Sequence, residues 1–289
     1  MDLKDTGVRI ASGIVFLIIM IGSVMLSEWS YFILFALLTC FTLMEYHTIT
    51  YPLTDVNRKW QVAYKALASI SGVLYFISCF FVAKGELPAA SLLIVVLMPL
   101  FWLTIELFNT SNSNIINFSR NMVGFLYVVL PFSATCFIAV PSGKYTYAYL
   151  LAIMIFAWSN DSFAYLFGSL FGKHKMFERV SPKKSWEGFF GGVIGSIGFS
   201  YLLFLFYQWK ALGLDTSAFV WKDFAILALI TAVTSTIGDF CESMLKRNLK
   251  IKDSGTIMPG HGGFLDRFDG LLFAFPVSLF YLLVIKQYI

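Results

Sequence analysis

The chain has 289 residues, of which 58% are hydrophobic and only 13% charged, and Phe alone contributes 31. A soluble domain runs near half apolar and a quarter charged, so this composition excludes an ordinary soluble enzyme and points to the bilayer. The formal net charge of +4 is not a nucleic-acid signal, because the basic residues stand in the gaps between apolar runs, where they set membrane topology.

A helix needs about 20 apolar residues to cross the hydrocarbon core. Nine runs qualify in chain order: 9–27, 30–45, 64–83, 88–107, 121–140, 146–171, 187–208, 223–241 and 268–286. They predict an all-α integral membrane protein of about nine transmembrane helices. The first run, after Arg9, lacks a small-residue cleavage site and reads as a retained span. The second is short and needs its flanks to complete a crossing. Glu45 and Glu106 stand near span ends and read as interfacial.

The sixth run carries Asn160 and Asp161 inside it. An ionisable group within a span costs a few kcal/mol unless paired or solvated, roughly 2.5–3.5 at the centre. Asp161 has no neighbouring charge in sequence, so its partner must come from another element. Beyond it, Ser181-Pro182-Lys183-Lys184 reads as a turn, and Ser185 as the N-cap of the seventh helix. Cys40, Cys79 and Cys136 lie in apolar runs and Cys241 at the end of one. No CxxC occurs, so neither structural disulfides nor a thiolate zinc site is expected.

With a cytoplasmic N-terminus and nine alternating spans, the C-terminus lies outside. Sixteen of the 21 Lys and Arg then fall inside, against Lys84, Lys144, Lys210, Lys222 and Lys286 outside, as the positive-inside bias demands. Loops 172–187 and 241–267 share the cytoplasmic face. Residues 1–140 read as scaffold helices and 141–289 as the chemically active half.

Residues 239–269 hold ten of the 38 charged residues of the chain. Asp239 closes one apolar run, and Asp266 and Asp269, spaced i, i+3, open the next. At a helix start they share a face and complement the dipole. Three such carboxylates form an oxygen-rich site suited to magnesium, which takes one or two protein carboxylates beside water and substrate phosphates, with room for a second ion. Lys246, Arg247 and Lys252 suit phosphates, whereas Lys250 reads as a membrane-surface charge. Gly255, Gly260, Gly262 and Gly263 allow close backbone approach to a ligand. His261 stands between these glycines as a ligand or phosphate donor. No Walker A pattern occurs.

The run Ser243-Met-Leu-Lys-Arg, then Lys252-Asp-Ser-Gly, then Pro259-Gly-His-Gly-Gly-Phe-Leu-Asp-Arg-Phe-Asp269 resembles the signature of phosphatidate cytidylyltransferases, also called CDP-diacylglycerol synthases. The likeness covers 27 residues. Met258 stands where that family usually has Leu, Ile or Phe, a volume-conserving swap. Residues 181–188 also resemble the family, with Ser185 where Thr is frequent. The resemblance implies a membrane enzyme that joins CTP to phosphatidic acid, giving CDP-diacylglycerol and pyrophosphate. It implies magnesium, with potassium as a second ion, and a homodimer in the cell (inner) membrane.

On that reading Asp239, Asp266 and Asp269 serve the metal. Lys246, Arg247, Lys252, Asp253, His261 and Arg267 are assigned to catalysis. Asp161, Ser181, Lys183, Lys184, Gly262 and Gly263 are assigned to substrate binding. A lipid phosphate is already anionic, so the nucleophile needs no strong general base, and positioning plus charge stabilisation carries the reaction. Two rivals stay open. One is a CTP-dependent lipid kinase, which must activate a neutral hydroxyl. The other is a transporter with an acidic relay through Asp161 and Asp239.

Overall fold

This computed structural model describes residues 3–51, 58–108, 114–208, 220–255, 257 and 262–287. Among them the regular structure is helical, with isolated bridges such as the antiparallel one between Lys175 and Ser185. The helices are α1 (Leu3–Leu26), α2 (Glu28–Thr50), α3 (Arg58–Ala83), α4 (Ile94–Leu107), α5 (Asn114–Gly124), α6 (Leu130–Ala139), α7 (Ala148–Phe171), α8 (Trp186–Tyr207), α9 (Trp221–Asn248) and α10 (Leu265–Phe280). A 3-10 turn leads into α4, a π turn joins α5 to α6, and another π turn extends α10. Eight helices among the described residues are long and apolar enough to cross a membrane, and Ala11–Leu26 is a shorter apolar helix. The chain is a multi-pass membrane protein.

Two helices run beyond the apolar runs that announce them. α2 starts on a reciprocal cap, in which Ser30 N donates to Ser27 Oγ and Ser27 N donates to Ser30 Oγ. It then continues past Glu45, where the apolar run ends, through His47 to Thr50, with Glu45 and His47 both buried. α9 continues past Cys241 to Asn248. Good helix formers, an i, i+4 pair of Glu242 with Lys246 and basic residues in the last turn sustain it. Lys246 and Arg247 therefore stand on a helix and not in a loop, and Asp239 lies within α9 and not at its end.

The chain forms two compact units, Met1–Tyr145 with Ile251–Arg267, and Thr146–Lys250 with Phe268–Ile289. In the first, α2 packs on α3 and α3 on α6, over buried Tyr31, Phe35, Phe76, Phe80 and Phe132. The Tyr31 hydroxyl meets Thr135 Oγ1 at 2.7 Å, as a polar tip in such a core must. In the second, α7, α8 and α9 pack on one another. Lipid tails are as apolar as the helices, so close backbone approach replaces the hydrophobic drive. Gly188, Gly191, Gly192 and Gly195 of α8 supply it, because a Cβ at each would strike α7. All four cysteines are free, with Cys79 and Cys136 buried and Cys40 and Cys241 half-buried.

Candidate functional site

In the second unit, α9 and α10 cross backbone to backbone. A Cβ at Gly238 would collide with the carbonyl oxygen of Asp269, and one at Gly270 would lie 2.9 Å from Ser235 Cβ. Each glycine adjoins an acid, so the crossing that they permit brings Asp239 and Asp269 into one electrostatic neighbourhood. The charges of Asp239, Asp161 and Lys184 all act on the Asp269 carboxyl. Asp269 Oδ1 also accepts from Gly270 N at 2.7 Å.

Above this crossing stands the connection from α7 to α8. Glu187, in the first turn of α8, gathers its root: the carboxylate accepts from Lys173 N at 3.1 Å and His174 N at 3.2 Å, and meets His174 Nδ1 at 2.6 Å. Trp186 N donates to His174 O and Met176 N to Lys184 O, which closes a hairpin. Ser185 caps α8 by accepting from Gly188 N at 3.2 Å. The hairpin packs on α9 through Phe177 against Phe240, ring centroids 5.0 Å apart. It sets the Lys184 ammonium 4.7 Å from the Phe240 ring centre and in an ion pair with Asp239.

A cavity of about 420 Å³ opens here, lined among others by Asn160, Asp161, Lys183, Lys184, Ser185, Thr236 and Asp239. Lysines and carboxylates face the same space. Asn160 is buried in α7. Its Nδ2 donates weakly to Ser235 and Thr236 hydroxyls at 3.5 and 3.4 Å, while its Oδ1 has no partner among the described residues. That oxygen is packed toward Gly192 of α8, where a Cβ would lie 2.5 Å from it.

In the first unit, Ile251–Arg267 carries the remaining motif residues. Asp266 Oδ2 accepts from Ser254 N and from Gly263 N, both at 2.9 Å. Glu45 accepts from the Ser254 hydroxyl, from Phe264 N at 2.9 Å and from Leu265 N at 3.0 Å. Glu45 and Glu106 are only 6% and 4% exposed, so both carboxylates are enclosed by the protein. Lys252 and Asp253 are exposed, and Arg267 is half-buried with its Nε lacking a hydrogen-bond partner among the described residues.

The sequence model of the cytidylyltransferase family matches residues 7–285. The chain belongs to the cytidylyltransferase family. Curated relatives carry the name phosphatidate cytidylyltransferase. That of Staphylococcus epidermidis is 42% identical over 132 residues, 45% of this chain and 46% of the relative. That of Haemophilus influenzae is 42% identical over 137 residues, 47% of this chain and 46% of the relative. That of Thermotoga maritima is 43% identical over 128 residues, 44% and 46% of the two chains. The chain thus spans about half the length of the curated relatives it matches.

Within this chain the motif residues divide by place. Asp161, Lys183, Lys184 and Asp239 share the cavity wall, with Asp269 in reach of their charges. Ser181 shapes the hairpin turn through its backbone, accepting from Lys184 N at 3.3 Å, and is not among the residues that line the cavity. Lys246 pairs with buried Glu242, and Arg247 is exposed on the last turn of α9. Gly262 has φ of 83°, the left-handed turn that its lack of a Cβ allows. His261 lies outside the described residues.

Carboxylate oxygens are hard donors, and one or two beside phosphates and water suit magnesium. Asp239 and Asp269 fit that requirement by donor chemistry. No group of three or more His, Cys, Asp or Glu placed to hold a metal ion occurs among the described residues. Asn160 and Glu45 escape sequence reasoning. A polar pair at 160–161 inside an apolar run is the signal for the first, and a lone acid near a span end is a weak one for the second.

Lys250 ends α9 with φ of 57°, its N donating to Arg247 O. A left-handed residue just past a helix end is the place glycine prefers. Lys250→Gly is expected to leave turnover intact and stability within about 0.5 kcal/mol of wild type, measured by pyrophosphate release and thermal unfolding.

Proposed function

We propose that this chain transfers the cytidylyl group of CTP to phosphatidic acid, giving CDP-diacylglycerol and pyrophosphate for phospholipid synthesis. The observation that carries this reading is the cavity where Lys183 and Lys184 face Asp161 and Asp239, in a chain of the cytidylyltransferase family whose relatives bear the phosphatidate name. A phosphate oxygen of the lipid attacks the α-phosphorus of CTP. One P–O bond forms there and the bond to the pyrophosphate oxygen breaks.

Two anions must meet, so the lysines offset their repulsion and hold them in line. Lys184 starts from Asp239 and Lys183 from the open wall. Asp239 and Asp269 would hold a magnesium ion, which would supply charge stabilisation for the phosphates; the sequence resemblance also implies a second ion, magnesium or potassium. Asp266, Lys246, Arg247, Lys252, Asp253, His261, Arg267, Ser181 and Gly262 keep their assigned roles on the sequence signature. The nine-span topology, with cytoplasmic N-terminus, external C-terminus and cytoplasmic active site in the cell (inner) membrane, follows from the distribution of basic residues. The homodimer rests on the resemblance.

The test is transfer of label from CTP to phosphatidic acid in detergent–lipid micelles. Label from the α-phosphate should enter the lipid and label from the γ-phosphate should leave as pyrophosphate. Entry of γ-label into lipid would make the chain a lipid kinase. Ion movement without lipid turnover would make it a transporter.

A further inference from the structure

The signature segment holds an anion-binding arrangement that the chain fills by itself. Phe264 N and Leu265 N, at the start of α10, and the Ser254 hydroxyl converge on one point. Free amides at a helix start, beside glycines, attract phosphate or carboxylate. In this protein the anion is the carboxylate of Glu45, brought from α2 and buried. A Cβ at Gly263 would overlap that carboxylate, and one at Gly255 would lie 2.7 Å from Glu45 Oε2. Directly beside it, Asp266 takes the amides of Ser254 and Gly263. Two carboxylates therefore consume four backbone amides and a hydroxyl, and fix residues 254–255 and 263–265 from both sides.

We infer that Glu45 is a positioning residue whose carboxylate plugs the amide nest of the signature segment and sets its course. Gly255 and Gly263 are small to admit Glu45, not a substrate phosphate. The consequence for turnover rests on the transferase reading above; the exchange and melting measurements below do not.

The test uses the full chain in detergent, with variants Glu45→Gln, Glu45→Asp, Gly263→Ala and the pair Glu45→Asp with Gly263→Ala. An amide at position 45 turns a donor toward one of the loop N–H groups. Glu45→Gln is then expected to speed hydrogen exchange at Phe264 and Leu265 roughly tenfold or more, as charge-assisted bonds are lost. It should lower kcat by a similar factor while KM for CTP stays near wild type. Gly263→Ala alone should lower both melting temperature and kcat. Aspartate withdraws the carboxylate by about 1.5 Å, one carbon–carbon bond, and makes room for the methyl group. The double variant should therefore melt higher and turn over faster than Gly263→Ala.

A general packing defect would not show that rescue. Unchanged exchange in Glu45→Gln, or a double variant no better than Gly263→Ala, would overturn the inference. So would a rise in KM for CTP with kcat preserved in Gly263→Ala, because the glycine would then serve the substrate. Absence of cytidylyl transfer by wild type, with the exchange and melting pattern intact, would instead sink the transferase reading and leave the plug standing.

Discussion

Asp269→Asn is expected to abolish turnover while leaving the protein at least as stable as wild type. The carboxyl stands at the α9–α10 crossing, where Asp239 and Asp161 add like charge and Lys184 alone among its charged neighbours opposes them. Such a cluster is unfavourable without a bound cation, since like charges in a poorly solvated site repel. Asparagine keeps the shape and an oxygen for Gly270 N, and it removes a repelling charge. Melting temperature should hold or rise. Turnover should fall by at least about 100-fold, the scale for losing a preorganised electrostatic group. Asp239→Asn should lose activity as severely, but it also breaks the pair with Lys184.

Asp223→Asn supplies the contrast. Asp223 pairs with Lys286 and accepts from Tyr281 Oη at 3.0 Å. It lies in the first turn of α9, far along the helix from Asp239. Its loss should cost about 1–3 kcal/mol of stability and spare kcat. Pyrophosphate release and thermal unfolding on the same preparations separate the two kinds of carboxylate. Near-normal release by both Asp239→Asn and Asp269→Asn would refute the metal assignment, and a fall in melting temperature for Asp269→Asn would refute the repulsion argument.

The helices were legible in the sequence because apolar runs and caps are local. Ser185 reads as an N-cap and behaves as one, and the 181–184 turn is where Pro182 places it. Asp161 reads as a group whose partner comes from another element; its charge acts on Asp269 of α10, and it lines one cavity with Lys184 and Asp239. Helix ends were less legible. α2 and α9 each extend past a charged residue, because Glu45 finds loop amides and Glu242 finds Lys246. Both partners are invisible to an apolar-run reading that counts an acid as a stop. The role of Glu45 was the least legible, since its three partners lie 209 to 220 residues away. Glycine spacing alone does not say whether the space is left for a substrate or for the chain itself.

Lys184→Met should lower kcat/KM by about 100-fold or more, whereas Lys183→Met should act mainly on KM. Both lysines line the cavity, but their surroundings differ. Lys183 is exposed and offers a mobile charge, so its loss weakens anion capture and its dependence on salt. Lys184 is half-buried, lies over Phe240 and is paired with Asp239. Its ammonium is already aimed by that pair, and an incoming phosphate competes with Asp239 for it.

Removing it does two things. The incoming phosphate loses its oriented cation, and the acidic group at the crossing loses the charge that offsets it. Stability should therefore fall in Lys184→Met, and Asp239→Asn should restore part of it, since the neutral side chain no longer needs the partner. A double-mutant cycle on melting should give a coupling of roughly 0.5–3 kcal/mol, the range for residues in contact. Turnover should stay low in the double variant, because both charges serve the substrate. Equal activity losses in Lys183→Met and Lys184→Met, with no coupling to Asp239, would mean that the ion pair has no part in placing the phosphate.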